Sequence, residues 1–175
     1  MKKQLVATIL AFGLFAPMAQ AAGPYGGLAL GHVSVDDDVE TVNLGIALGN
    51  IAEHGFGYEL FYSFSVVDDS GSSNGLSYDA DTDVLGAYVV YQTPGNVYFK
   101  GKLGYGFSNV TFDFDDQASI DESEYDFTYG IGGGFFMGDG ALEFTYYRFP
   151  EIEEVDGMDV DADVEMFNLT YLWTF

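Results

Sequence analysis

The sequence contains no cysteine, so neither a disulfide framework nor thiol chemistry is available to it. Bases are almost as scarce: Lys2, Lys3, Lys100, Lys102 and Arg148 stand against 28 acids, for a formal charge of −23. Without a basic footprint, nucleic acid is not an expected partner. Beyond residue 21 no apolar run approaches the roughly 20 residues of a membrane-spanning helix. No helical i, i+3, i+4 pattern persists either. Strong acidity often accompanies disorder, but disordered chains lack the 17% aromatic content found here.

What the chain does have is 23 glycines, 16 phenylalanines and 13 tyrosines, a composition suited to many strands joined by tight turns. Residues 1–21 read as a secretory signal peptide. Lys2 and Lys3 form its charged start, residues 5–16 its apolar stretch, and Ala19-Gln20-Ala21 its cleavage site. Residues 22–175 are then expected to form one domain.

Within that domain the apolar pattern has period two. Eight strand-like segments, about the length of a tilted transmembrane strand, are predicted at 25–35, 41–51, 56–67, 83–92, 97–112, 125–137, 141–149 and 164–175. In the last, Phe167, Leu169, Tyr171, Trp173 and Phe175 share one face, while Met166, Asn168, Thr170, Leu172 and Thr174 share the other. In the third, Phe56, Tyr58, Leu60, Tyr62 and Phe64 oppose Gly57, Glu59, Phe61 and Ser63. The fourth is apolar on both faces, which leaves its register open.

The connections alternate in kind. Short links are predicted at 52–55, 93–96 and 138–140, the last as a tight turn at Asp139-Gly140 that pairs Met137 with Leu142. Longer polar loops are predicted at 36–40, 68–82, 113–124 and 150–163. All but four of the 28 acids (Glu53, Glu59, Asp139 and Glu143) lie in or beside those longer loops. A soluble sandwich has no reason to load one end in this way. A membrane barrel does, because charged side chains are costly on a lipid-facing surface.

The signal peptide, the alternating strands and the terminal Tyr171-Leu172-Trp173-Thr174-Phe175 resemble the small outer-membrane β-barrels of Gram-negative bacteria, typified by the OmpA barrel domain and the OmpX/Ail proteins. The resemblance implies an eight-stranded antiparallel up-and-down β-barrel in the outer membrane, with both termini periplasmic and the long loops outside the cell. It also implies that Phe175, with Trp173 and Tyr171, forms a C-terminal signal for the assembly machinery. An OmpA-like periplasmic domain after the barrel is not expected, nor therefore an anchoring role.

Three constellations are candidates for function. Glu59, Lys100, Lys102 and Glu143 share the inward face at similar heights. In a lumen only wide enough for side chains they must pair, forming a lumenal cluster that plugs the barrel or, alternatively, gates small ions. Arg148 is predicted to lie across from Glu165 at the outer rim, with contact to a lipopolysaccharide phosphate as the competing role. The acidic run Asp159, Asp161 and Asp163 is a solvated face or a Ca²⁺ or Mg²⁺ site bridging to lipopolysaccharide. His32 and Ser34 share one face of the first strand, the only hint of a lipid A-modifying enzyme. No phosphate loop, zinc motif or nucleophile elbow occurs. The expectation is a monomeric, non-enzymatic barrel in contact with outer-membrane lipid and lipopolysaccharide, with a narrow pore as the alternative.

Overall fold

The computed structural model describes residues 22–35, 39–67, 69–73, 76–114, 120–155 and 158–175, and of these the side chains outside 69–78, 112–121 and 152–161. Among the described residues nine strands follow one another: β1 Gly23–Val35, β2 Val39–Ile51, β3 Phe56–Val67, β4 Asp69–Ser73, β5 Leu76–Gln92, β6 Val97–Phe114, β7 Ile120–Met137, β8 Gly140–Val155 and β9 Met158–Thr174. Sequence neighbours pair antiparallel throughout, except β3 and β4. β3 pairs with β5, β1 pairs with β9, and the sheet closes on itself. Short β4 follows β3 and pairs only with β5, so the closed ring has eight strands.

Alternation of side chains decides which surface each residue faces. Leu28, Leu30, Leu44, Ile46, Leu48, Leu60, Tyr105 and Phe144 are exposed on the outside, while Ala29, Val33, Ala47, Phe61, Val84 and Met166 are buried inside. The same parity holds in β9 up to its last residue, Thr174, which is expected inward but is exposed at the mouth of the ring. Phe167, Leu169, Tyr171 and Phe175 are exposed and Trp173 is half-buried, whereas Met166, Asn168, Thr170 and Leu172 are buried. A surface this apolar is not that of a water-soluble monomer. A closed ring surrounded by lipid explains it, because closure leaves no strand edge in the hydrocarbon. The register left open for 83–92 is settled as well. Val89 is 64% exposed and Val90 1%, which turns Leu85, Ala87, Val89 and Tyr91 outward and Val84, Tyr88 and Val90 inward.

Two expectations about connections are corrected. The segments 68–82, 113–124 and 150–163 are mainly strand rather than loop, since β4 to β9 run well into them. Once two strands are in register, each further residue can add ladder bonds, and alternation such as Tyr78, Ala80, Thr82 or Val160, Ala162, Val164 carries the pattern on. Polarity alone did not mark the strand ends. The β7–β8 turn is the second correction. Gly138, with φ +59°, opens a turn of Gly138 and Asp139, and Met137 pairs with Gly140 while Phe135 pairs with Leu142. The expected offset was two residues too long. A shift of two keeps parity, so no side chain changes face.

The β5 register leads to a direct test. A nitroxide on Val89→Cys is expected to collide with oxygen dissolved in lipid, and one on Val90→Cys to be shielded from both oxygen and a water-soluble nickel chelate. Electron paramagnetic resonance in vesicles reads both, and an inverted result would reverse the face assignment.

Candidate functional site: a charge cage in the lumen

Three strands deliver four charges to one level of the lumen. β3 contributes Glu59, β6 contributes Lys100 and Lys102, and β8 contributes Glu143. Each is at most 2% exposed. Lys102 Nζ lies 2.6 Å from Glu59 Oε1 and 3.0 Å from Glu143 Oε1. Lys100 Nζ lies 2.6 Å from Glu143 Oε2 and 3.7 Å from Glu59 Oε2. Every acid therefore meets both bases, and the group is neutral as a whole. That balance is what permits burial, since a single uncompensated ion in such surroundings costs several kcal/mol.

Tyrosines complete the cage. Tyr25 donates to Glu59 Oε2 at 2.6 Å, and Tyr98 donates to Glu143 Oε2 at 3.0 Å. Lys102 donates to Tyr147 Oη at 2.6 Å, and Tyr147 in turn donates to Glu59 Oε1 at 3.2 Å. Thr145 adds a hydrogen bond to Glu143 Oε1 at 3.1 Å. The ammonium of Lys100 sits 4.8 Å from the ring centre of Tyr25, and that of Lys102 sits 4.8 Å from that of Tyr147. Room for these phenols comes from glycines on β7. A Cβ on Gly134 would stand 2.6 Å from the Tyr98 hydroxyl, and one on Gly130 would stand 2.9 Å from the Tyr147 ring.

Further layers fill the lumen toward the long-hairpin end. Tyr147 stacks on Phe61 at 5.0 Å and packs against Tyr88 and Phe149, each at 5.6 Å. Beyond them Thr41, Asn43 and Thr82 bond to one another, with Asn43 donating to the Thr82 carbonyl at 2.9 Å. At the short-turn mouth a cavity of about 20 Å³, bounded by Lys100, Tyr98 and Gln92, has room for roughly one water.

The four charges stand out in the sequence pattern, whereas Tyr25, Tyr88, Tyr98 and Tyr147 do not. Their parity was available, since each occupies the face opposite an outward neighbour. Their partners were not.

At the rim, Arg148 pairs across strands with Glu165 as the sequence suggested, although that contact is long, 4.0 Å. The closer partners are Glu151 at 2.7 Å and Asp163, while Tyr146 donates to Glu165 at 2.8 Å. The Arg148 hydrogen bond holds the Glu151 carboxyl below the usual carboxylate range. Asp163 is thus engaged by Arg148, and the side chains of Asp159 and Asp161 lie outside the described residues. His32 is exposed and Ser34 half-buried on the outer face, and among the described residues no hydrogen bond joins them. Residues 1–21 also lie outside the described residues.

A closed ring with an apolar exterior and a polar, charge-paired interior defines an integral β-barrel of the outer membrane. The sequence matches the family described as outer membrane protein beta-barrel domain over residues 5–175, and the chain belongs to that family. Its fold is that of neisserial surface protein A, with a TM-score of 0.70 at 12% identity over 88% of this chain and 98% of that one. The Yersinia pestis attachment invasion protein Ail, solved with the heparin analogue sucrose octasulfate, has a TM-score of 0.59 at 18% identity, covering 88% and 97%. Pseudomonas aeruginosa OprG has a TM-score of 0.57 at 15% identity, covering 88% and 97%. No curated protein matches the sequence.

Two outcomes follow. Lys102→Met leaves two buried carboxylates to share one base and is expected to cost about 3–5 kcal/mol. Adding Glu59→Gln restores charge balance and should recover much of that loss in urea unfolding from vesicles. A loss in the double variant equal to the sum of the two single losses would show that the charges act independently.

At the rim, Arg148→Ala is expected to cost less than ~1 kcal/mol, because the pair is screened by solvent. The Glu151 contribution is present above the ordinary carboxylate value and is lost as pH falls through the lowered one. The difference between wild type and Arg148→Ala should therefore shrink with acidification, as measured by urea unfolding across pH.

Proposed function

We propose that the protein is a non-enzymatic, non-conducting barrel of the outer membrane that supports envelope integrity and presents acidic strand extensions to the exterior. The observation that carries this reading is the filled lumen, in which a charge cage, an aromatic layer and a threonine–asparagine layer succeed one another. A small ion would have to displace all three. In this reading the short turns and both termini are periplasmic, and residues 1–21 act as the signal peptide. Phe175, Trp173 and Tyr171 are read by the assembly machinery, and the monomer contacts lipid and lipopolysaccharide directly. The acid distribution supports this orientation, since the carboxylates gather at the long-hairpin end. The run containing Asp159, Asp161 and Asp163 is a solvated face in this reading, and calorimetry with Ca²⁺ or Mg²⁺ in detergent checks it.

Reconstitution in a planar bilayer is expected to give no steady single-channel current, and removal of the gene to raise sensitivity to bile salts while leaving lipid A masses unchanged. Sustained currents would favour the narrow pore, and altered lipid A acylation would favour an enzyme using the outward His32 and Ser34.

A further inference from the structure

The wall of the barrel opens along one seam. Among the described residues the β7–β8 ladder ends at Tyr129–Arg148. The β6–β7 ladder runs on to Phe112–Ile120, and the β8–β9 ladder to Val155–Met158. Two hairpins thus stand side by side without pairing. Part of the reason is electrostatic. Continuing the β7–β8 register would set Asp126 against Glu151 and Glu124 against Glu153, and like charges directly opposite are destabilising.

The rest lies in the course of β8. Phe149 and Pro150 are consecutive buried residues, and the β8–β9 register slips between Phe149 and Ile152. Carbonyls that a continuing ladder would have used already have other donors. Thr128 Oγ1 donates to the Arg148 carbonyl at 2.6 Å, and Ser108 Oγ donates to the Pro150 carbonyl at 3.0 Å. Pro150 itself has no amide hydrogen to offer. Beyond Arg148, β8 is therefore drawn by Ser108 toward β6, and its ladder with β7 stops. The exposure pattern of β7 agrees, since Tyr125, Asp126 and Phe127 are all exposed where a paired wall would alternate. Beside them lies a cleft of about 280 Å³, whose lining includes Glu124, Tyr125, Asp126 and Phe127 on one side and the paired Arg148 and Glu151 on the other.

We propose that this seam is a strand-addition site that takes an extended, cationic segment of another polypeptide along the open edge of β7. An unpaired strand edge is a template for main-chain pairing with an added strand. The flanking groups select its chemistry. Glu151 is already held by Arg148, so Glu124 and Asp126 attract the Lys or Arg, and the exposed rings of Tyr125 and Phe127 offer faces on which such cations rest. The same carboxylates repel phosphate-bearing headgroups and a second, equally acidic copy of this chain. Lateral closure has no part in the lumenal seal, so the seam is independent of whether the barrel conducts. The proposal rests on the orientation given above only for where the partner is met.

The test uses the full chain in lipid nanodiscs and three labelled peptides: alternating Lys and Val, the same peptide N-methylated at alternate residues, and alternating Glu and Val. Fluorescence anisotropy is expected to show saturable binding of the first and at least about tenfold weaker binding of the other two. Amide shifts in nuclear magnetic resonance should cluster at residues 123–127. The combined Glu124→Lys and Asp126→Lys variant should lose at least about tenfold in affinity while keeping the heat-modifiable mobility of a folded barrel. If that variant fails to fold, the peptide comparison and the shift map on the wild type still decide. Equal binding of the N-methylated peptide would reduce the effect to surface charge and overturn strand addition, as would shifts elsewhere or no saturation. Dimers sedimenting in detergent without peptide would assign the seam to a second copy and overturn the proposal too.

Discussion

A backbone hydrogen-bonding group left bare in hydrocarbon costs several kcal/mol, and that constraint governs this molecule from the lipid inward. A sheet can meet it only by closing, and with eight strands the closed ring is narrow. Narrowness then decides the interior. Glu59, Lys100, Lys102 and Glu143 cannot each keep a hydration shell in such a lumen, so they neutralise one another within 2.6–3.7 Å. The phenols of Tyr25, Tyr98 and Tyr147 take up the remaining valences of the carboxylates. The cage is a consequence of the lipid outside as much as of the charges inside.

Away from the hydrocarbon the constraint lapses, and the structure changes character. Water can satisfy a free strand edge there, so the β7–β8 ladder can stop at Tyr129–Arg148 without penalty. Carboxylates gather on both faces, and Arg148 holds Glu151 and Asp163 at the point where the wall divides. The same ring is therefore rigid where lipid touches it and divided where water does.

Much of this was legible in the chain. Period-two alternation assigned Leu28, Leu60, Phe144 and Tyr171 to the outside and Glu59, Phe61 and Glu143 to the inside, as observed. It did so because parity is a local property, fixed by the backbone of each strand. The segment 83–92 resisted, since Val, Leu, Ala and Tyr are acceptable to lipid and to a packed lumen alike. The hairpin at 138–140 was misplaced by two residues, because Gly138 and Gly140 both tolerate a turn and only the pairing of Phe135 with Leu142 distinguishes them. The strand extensions read as loops in the sequence, because polar residues are as acceptable to a ladder in water as to a loop.

What the sequence determined by itself is the class of the molecule: a membrane ring with a greasy outside, four inward charges and an acidic end. Alternation and charge placement are written residue by residue, and no distant contact is needed to read them. Tertiary structure alone decided which acid meets which base, which tyrosines close around them, and where the wall stops being continuous. Those outcomes depend on strands far apart in the chain, as with Lys102 and Glu59 or Ser108 and Pro150, whose relative heights are set only when the ring closes.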